Sequence, residues 1–64
     1  MEKIREMAIY RPQEWRYGQA IFNYAAISHK KEVNELRATE YDCFYDDNKV
    51  EIFLEKLNEK LENI

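Results

Sequence analysis

Apolar residues recur with a helical period along much of the chain, and the pattern is clearest at the C-terminal end. Six apolar residues of the last segment form one stripe: Val50, Phe53, Leu54, Leu57, Leu61 and Ile64. A stripe of this kind is typical of an amphipathic helix that packs one face against a core. Asp46 or Asp47 suits its N-cap, so we predict a C-terminal helix over residues 48–63. Ile52 is apolar but points away from the stripe.

The middle of the chain is apolar around most of a helical circumference. Pro12 suits the first position of a helix, where its missing N–H has no partner in any case, so we predict a central helix over residues 12–28. Its polar side chains form one narrow stripe: Arg16, Gln19 and Asn23. Such a helix is covered on several sides. Because Gly18 costs about 1 kcal/mol relative to Ala in a helix interior, we expect another element to approach closely over it.

Three further segments complete the chain. Residues 1–11 form an N-terminal arm that has room for a short helical turn. Residues 30–37 are predicted to form a short amphipathic helix, although no Gly or Pro separates them from the central helix. Residues 38–47 lack alternation and are predicted to be a loop with three aromatic side chains tucked inward. We expect residues 1–64 to form one all-α domain of three or four short helices, closed by the C-terminal helix.

Size and composition limit how this domain is stabilised. With 64 residues, the chain is close to the lower limit for a self-supporting core. Its single cysteine excludes an internal disulfide, and a single histidine leaves no Cys/His cluster for zinc. Dense packing of one Trp, five Tyr and three Phe, or self-association, must supply the stability. We expect no metal and no cofactor.

The charge is uneven along the chain, whose net charge is −3. Residues 1–37 carry a net charge of +2 and residues 38–64 a net charge of −5. Either the two halves attract each other, or a partner meets only the acidic half. No apolar run approaches the roughly 20 residues that a membrane span needs, and the start of the chain has no apolar stretch of signal-peptide type. With no paired cysteines, we expect a cytoplasmic protein.

Catalytic and metal-binding chemistry have weak support in the sequence. Cys43 and His29 could form a nucleophile and base, but Cys43 stands in an aromatic segment that predicts burial, and a buried cysteine is inert. The acidic residues around it do not match a calcium-binding loop. With Asp42 as the first ligand, Asp47 replaces the required Gly and Phe53 replaces the final Glu. Helix caps and Asx-turns explain these carboxylates, and we expect no enzyme.

Two sets of residues are candidates for binding. Tyr17, Tyr24 and Ile52 either pack within the fold or form a surface for a partner or a second copy, since tyrosine is enriched at interfaces. The second set is the polar stripe defined above, whose residue types read base edges in nucleic-acid complexes. Because the chain is acidic and its basic residues are scattered, we expect a solvated helix face there and no nucleic-acid partner. No small-molecule substrate is indicated.

Residues 16–23 and 37–47, followed by an amphipathic helix ending in leucines, resemble a family of short uncharacterised proteins of bacteria and their phages. The family pattern reads Arg-x-Gly-Gln-Ala-aliphatic-Phe-Asn, then Arg-Gly-Thr and Asp-Pro-Phe-Tyr-Asp-Asp, and the likeness spans residues 16–57. Ala38 and Cys43 stand where the pattern has Gly and Pro. The resemblance implies a helical fold and a bacterial or phage setting, without a mechanism.

Together these features predict a non-enzymatic protein-interaction module. The resemblance allows it to be phage-encoded and to act on a host protein in the host cytoplasm. The alternative is a small dimeric nucleic-acid-associated regulator that uses the helix face of Arg16, Gln19 and Asn23.

Overall fold

The computed structural model describes residues 1–62 and is helical throughout its regular elements. The four helices are α1 (Glu2–Ile9), α2 (Tyr17–Ser28), α3 (Lys30–Leu36) and α4 (Val50–Glu62), and a short 3-10 turn (Asp47–Lys49) leads into α4. No strand occurs within residues 1–62. The predicted all-α class with a C-terminal amphipathic helix is therefore confirmed.

The stripe that predicted α4 faces the core. Val50, Phe53, Leu54 and Leu57 are buried and Leu61 is half-buried; Ile64 lies outside the described residues, as does the predicted end of the helix at residue 63. The Asp46 side chain accepts a hydrogen bond from the backbone N–H of Asn48 at 2.9 Å and caps the 3-10 turn. A polar cap followed by an apolar stripe thus forms this element from local sequence alone.

The central helix begins five residues later than predicted. The Trp15 N–H donates to the Pro12 carbonyl at 3.0 Å, which closes a single turn, and Arg16 is extended with φ −74 and ψ 163. The guanidinium Nε of Arg11 donates to the Trp15 carbonyl at 2.9 Å. A continuous helix needs that carbonyl as the acceptor for residue 19, so the prediction of a helix from Pro12 is wrong. Arg16 is the N-cap residue of α2, before its first turn.

Residues 10–16 separate α2 from α1, and His29 separates α2 from α3. His29, with φ −136 and ψ 52, interrupts the helix between α2 and α3, so residues 30–36 form a separate helix. The N-terminal arm forms a two-turn helix, longer than the single turn its pattern suggested. Arg5 of α1 pairs with Glu51 at the start of α4, with 2.8 Å between nitrogen and oxygen.

All four helices contribute to the core. The buried apolar residues are Ile4, Ala8, Ala20, Ile21, Phe22, Ala25, Val33, Leu36, Cys43, Val50, Phe53, Leu54 and Leu57. Phe22 of α2 and Phe53 of α4 lie with ring centroids 5.5 Å apart. α2 is less enclosed than its composition predicts, because Ile27 near its end is 74% exposed. No helix within residues 1–62 combines the length and apolar character that crossing a bilayer requires.

Candidate functional site

The segment of residues 38–47, here called the aromatic loop, lies directly against the first turn of α2. A Cβ atom on Gly18 would overlap the carbonyl oxygen of Cys43 and would lie 3.0 Å from Oδ1 of Asp47. Only glycine fits at this point. The predicted close approach over Gly18 is confirmed, and the aromatic loop is the element that makes it.

Three hydrogen bonds join the aromatic loop to α2. The Gly18 N–H donates to Asp47 Oδ1 at 2.8 Å, and the Cys43 thiol donates to the Gly18 carbonyl at 3.3 Å. Arg16 Nη1 donates to the Tyr45 carbonyl at 2.7 Å. Arg16, at the N-cap position, has no side-chain acceptor, so Asp47 supplies the cap from 29 positions along the chain. Two segments that are distant in sequence are thereby joined by hydrogen bonds.

The aromatic loop begins with a tight turn. Arg37 has φ −60 and ψ 134, Ala38 has φ 62, and the Thr39 N–H donates to the Leu36 carbonyl at 3.2 Å. This is a type II turn, whose third residue needs a positive φ and is usually Gly. Ala38 therefore occupies a position at which glycine would be free of strain.

Asp42 fixes the next part of the loop. Its carboxylate accepts hydrogen bonds from the backbone N–H of Ala38 at 2.7 Å and of Phe44 at 2.9 Å. The second of these bonds closes an Asx-turn. The interpretation of the acidic residues as caps and Asx-turns is thus confirmed at Asp42, Asp46 and Asp47.

Three rings form a continuous line from the core to the surface, here called the aromatic edge: Phe22, Phe44 and Tyr45. The Phe22 and Phe44 centroids are 5.6 Å apart, and the Phe44 and Tyr45 centroids are 4.8 Å apart, both in edge-to-face geometry. Phe22 is buried, Phe44 is half-buried and Tyr45 is 79% exposed. The prediction that all the loop aromatics tuck inward is wrong at Tyr45. Successive side chains of this segment point different ways, and Phe44 takes the inner position.

A cleft lies beside the aromatic edge. Its volume is about 240 Å³, and it is lined by Phe22, Arg37, Ala38, Asp42, Phe44 and Tyr45. The Arg37 guanidinium lies over the Phe22 ring, 5.2 Å from its centroid, a favourable cation–π arrangement. The cleft therefore has apolar walls and two charged lining residues, the Arg37 cation and the Asp42 carboxylate.

The Cys43 thiol lies beneath this site and is fully buried. Burial, followed by the negative charge of Asp42, raises the pKa of Cys43 to about 12. A thiol held in its protonated form is a poor nucleophile. The predicted burial of Cys43 is confirmed, and its observed role is to fill space and to bond the Gly18 carbonyl.

The predicted binding tyrosines form a separate group, here called the tyrosine cluster: Arg11, Trp15, Tyr17 and Tyr24. The Arg11 guanidinium lies 5.6 Å from the Tyr17 centroid, and the Trp15 and Tyr24 centroids are 5.8 Å apart. Arg11 also donates to the Ala8 carbonyl at the end of α1 at 3.0 Å. Tyr17 also acts on Arg5 of α1, whose pKa is raised mainly by the Glu51 carboxylate and more weakly by the Tyr17 hydroxyl. Both tyrosines are half-buried, and Tyr17 connects α2 to the α1 side of the fold through the two arginines.

The remaining predicted residues are distributed around the molecule. Arg16 is exposed and is held by the aromatic loop, whereas Gln19 and Asn23 are half-buried. Ile52 is 37% exposed on α4. Sequence reasoning missed Tyr45 and Arg37 as site residues. The available signal was the segment of residues 41–47, in which aspartates flank aromatic residues a few positions after Arg37. Aspartates of this kind favour turns, so the segment indicates a tightly turned loop that carries aromatic side chains.

Comparisons with protein-family models, with curated proteins and with solved structures returned no match for this chain.

Proposed function

We propose that this chain is a non-enzymatic, cytoplasmic protein-interaction module and that the aromatic edge is its contact surface. The observation that supports this most directly is the setting of Tyr45. Its ring is 79% exposed, while its backbone carbonyl is held by Arg16 at 2.7 Å. Tyrosine and arginine are enriched among the residues that carry binding energy at interfaces, because a tyrosine has an apolar body and a polar tip.

The hydrogen bonds that restrain the aromatic loop support the same function. Asp42 accepts backbone hydrogen bonds within the loop, Asp46 accepts one from the 3-10 turn that follows, and Asp47 accepts one from α2. A surface that is already ordered avoids the cost of immobilising side chains and loops on binding, which is about 0.5–1.5 kcal/mol for each long side chain. These hydrogen bonds restrain the backbone that presents Tyr45 to a partner.

We infer a bacterial or phage setting from the resemblance of residues 16–57 to short proteins of that origin. A partner in the bacterial cytoplasm, which for a phage protein is a host protein, is the corresponding proposal. The state of Cys43 is consistent with a non-enzymatic role, since its thiol is buried and its raised pKa keeps it protonated at neutral pH.

A nucleic-acid role for the polar stripe has less support. Arg16 already donates to the Tyr45 carbonyl, and the other two stripe residues, Gln19 and Asn23, are half-buried on α2. Little free polar surface is left to read base edges.

Affinity capture from a bacterial lysate tests the proposed function. The immobilised chain is compared with the variants Tyr45→Ala and Tyr10→Ala, because Tyr10 is 84% exposed and lies outside the aromatic edge. We expect saturable capture by the original chain and by Tyr10→Ala, and loss of capture with Tyr45→Ala. Equal capture by all three proteins would contradict the assignment of the surface.

Self-association is a separate possibility that the sequence left open. Light scattering at two protein concentrations measures it directly, and repetition with Tyr45→Ala asks whether the aromatic edge is involved. A monomer at both concentrations would remove the homodimer and leave a different protein as the partner.

A further inference from the structure

We propose that the cleft beside Tyr45 binds an acidic peptide segment of a partner protein. A side-chain carboxylate of the peptide pairs with Arg37, and a neighbouring apolar side chain occupies the cleft. A partner of this kind presupposes the protein-interaction function proposed above and specifies its chemistry.

Arg37 is the residue that selects an acidic partner. It is exposed, and its guanidinium lies over the Phe22 ring at 5.2 Å. Within residues 1–62 no carboxylate forms an ion pair with it, and no acceptor takes a hydrogen bond from its side chain. The guanidinium carries five N–H donors in a fixed fork that matches a carboxylate. A carboxylate from another chain would satisfy those donors.

The size and lining of the cleft select the rest of the ligand. Its volume of about 240 Å³ is below the roughly 300–1,000 Å³ that is usual for clefts that enclose small-molecule ligands. The space suits a single side chain. Because three of the lining residues are the aromatic rings of Phe22, Phe44 and Tyr45, that side chain should be apolar.

The charges around the cleft favour one carboxylate over a row of phosphates. Asp42 lines the cleft, and Asp46 and Asp47 follow in the same loop. The whole chain carries a net charge of −3. Nucleic-acid binding needs a concentrated basic footprint, which the carboxylates of the aromatic loop oppose. A ligand that brings one carboxylate to Arg37 places less negative charge beside these groups than a row of phosphates does.

Selection from a library of random peptides displayed on phage tests the proposal. The peptides are displayed by their C-terminal ends, so that only side-chain carboxylates are available. We expect the immobilised chain to enrich peptides in which Asp or Glu stands within a few residues of Leu, Ile, Met or Phe. The Kd of one enriched peptide, labelled with fluorescein, is then measured by fluorescence anisotropy.

Variants of Arg37 separate charge from hydrogen-bond geometry. We expect Arg37→Gln to weaken binding by about tenfold to a hundredfold, because charge-assisted bidentate bonds are strong. Arg37→Lys should show an intermediate loss, since lysine keeps the charge without the fork. Lys31→Gln removes the same charge from an exposed position of α3 outside the cleft and should change Kd by less than about threefold. Melting temperatures show whether each variant remains folded.

The outcomes distinguish this proposal from the proposed function. Enriched peptides that lack acidic residues but require Tyr45 would overturn the acidic partner and leave the interaction module standing. Failure to enrich any peptide, with Tyr45-dependent capture from lysate retained, would have the same meaning. A labelled oligothymidine that binds as tightly as the peptide and depends on Arg37 would overturn the proposal in favour of nucleic acid. Absence of both peptide and lysate binding would end both proposals.

Discussion

The tyrosine cluster and the aromatic edge contain similar side chains on roughly opposite faces of α2, but they are exposed to different extents. In the tyrosine cluster, Tyr17 and Tyr24 are half-buried against Arg11 and Trp15, and Arg11 donates to two backbone carbonyls. In the aromatic edge the outermost ring, Tyr45, is 79% exposed. In the tyrosine cluster, Arg11 bonds neighbouring segments of the fold to each other. In the aromatic edge, Arg16 holds the backbone of Tyr45, whose ring remains exposed.

The difference shows that aromatic composition does not identify a binding surface by itself. In both groups an arginine bonds backbone carbonyls or lies over a ring. Arg11 connects segments that are close in sequence and covers the ring beside it. Arg16 bonds only the backbone of Tyr45 and leaves its ring uncovered. Exposure of the ring combined with restraint of the backbone is therefore the distinguishing feature of a candidate contact residue.

The largest expected effect concerns the support of the aromatic edge. Gly18→Ala should destabilise the fold by about 2–3 kcal/mol, because the added Cβ overlaps the Cys43 carbonyl. Alanine is intrinsically the better helix former by about 1 kcal/mol, so any loss must come from the contact. Urea unfolding followed by circular dichroism measures it. An unchanged or higher stability would show that the loop does not press on α2, and Gly18→Leu should be worse still.

Trp15→Ala should cost about 2 kcal/mol, through loss of a half-buried ring that packs on Tyr24. The same unfolding measurement applies. This change probes the tyrosine cluster as a structural element. If stability stayed constant while lysate capture disappeared, the tyrosine cluster would be the contact surface instead of the aromatic edge.

Alkaline pH should weaken the junction beneath the aromatic edge. The pKa of the Cys43 thiol is raised from 9.0 to about 12 by burial, so the folded state keeps its proton where the unfolded chain has lost it. Stability is therefore retained below pH 9 and falls as pH rises from 9 towards 12, by about 1.4 kcal/mol for each pH unit. The difference between the original chain and Cys43→Ala isolates this effect, because tyrosine and lysine titrate in both. Parallel pH profiles would contradict it.

Ala38→Gly should stabilise the chain by about 0.5–1 kcal/mol. Alanine with φ 62 is strained, and the relief, about 1–2 kcal/mol, exceeds the entropy that glycine loses on folding. A rise in melting temperature of a few degrees is expected on this scale. Thr39→Gly, at the next residue along the chain, serves as the control and should destabilise, since it removes the hydroxyl that donates to the Leu36 carbonyl.

The smallest expected effect on stability is that of Tyr45→Ala, within about 0.5 kcal/mol, because an exposed side chain contributes little to the fold. Its effect on binding should be the largest of the series. A destabilisation as large as that of Trp15→Ala would remove the contrast between the two aromatic groups.

The sequence determined the elements whose signals are local. The apolar stripe of α4 predicted its buried face, the isolated glycine predicted a close approach over α2, and the carboxylates of residues 42–47 predicted caps and turns. Each of these follows from side-chain periodicity or backbone geometry within a few residues.

Only the tertiary structure decided which partners these side chains bond and pack against. Asp47 caps α2 instead of the helix that follows it, and Arg16 bonds the Tyr45 carbonyl. Tyr45 is exposed because Phe44 occupies the inner position against Phe22. Hydrogen-bond donors and acceptors far apart in sequence meet only after the chain has folded, so their partners have no local signal. For the same reason the candidate site at Arg37 and Tyr45 emerged from the folded structure.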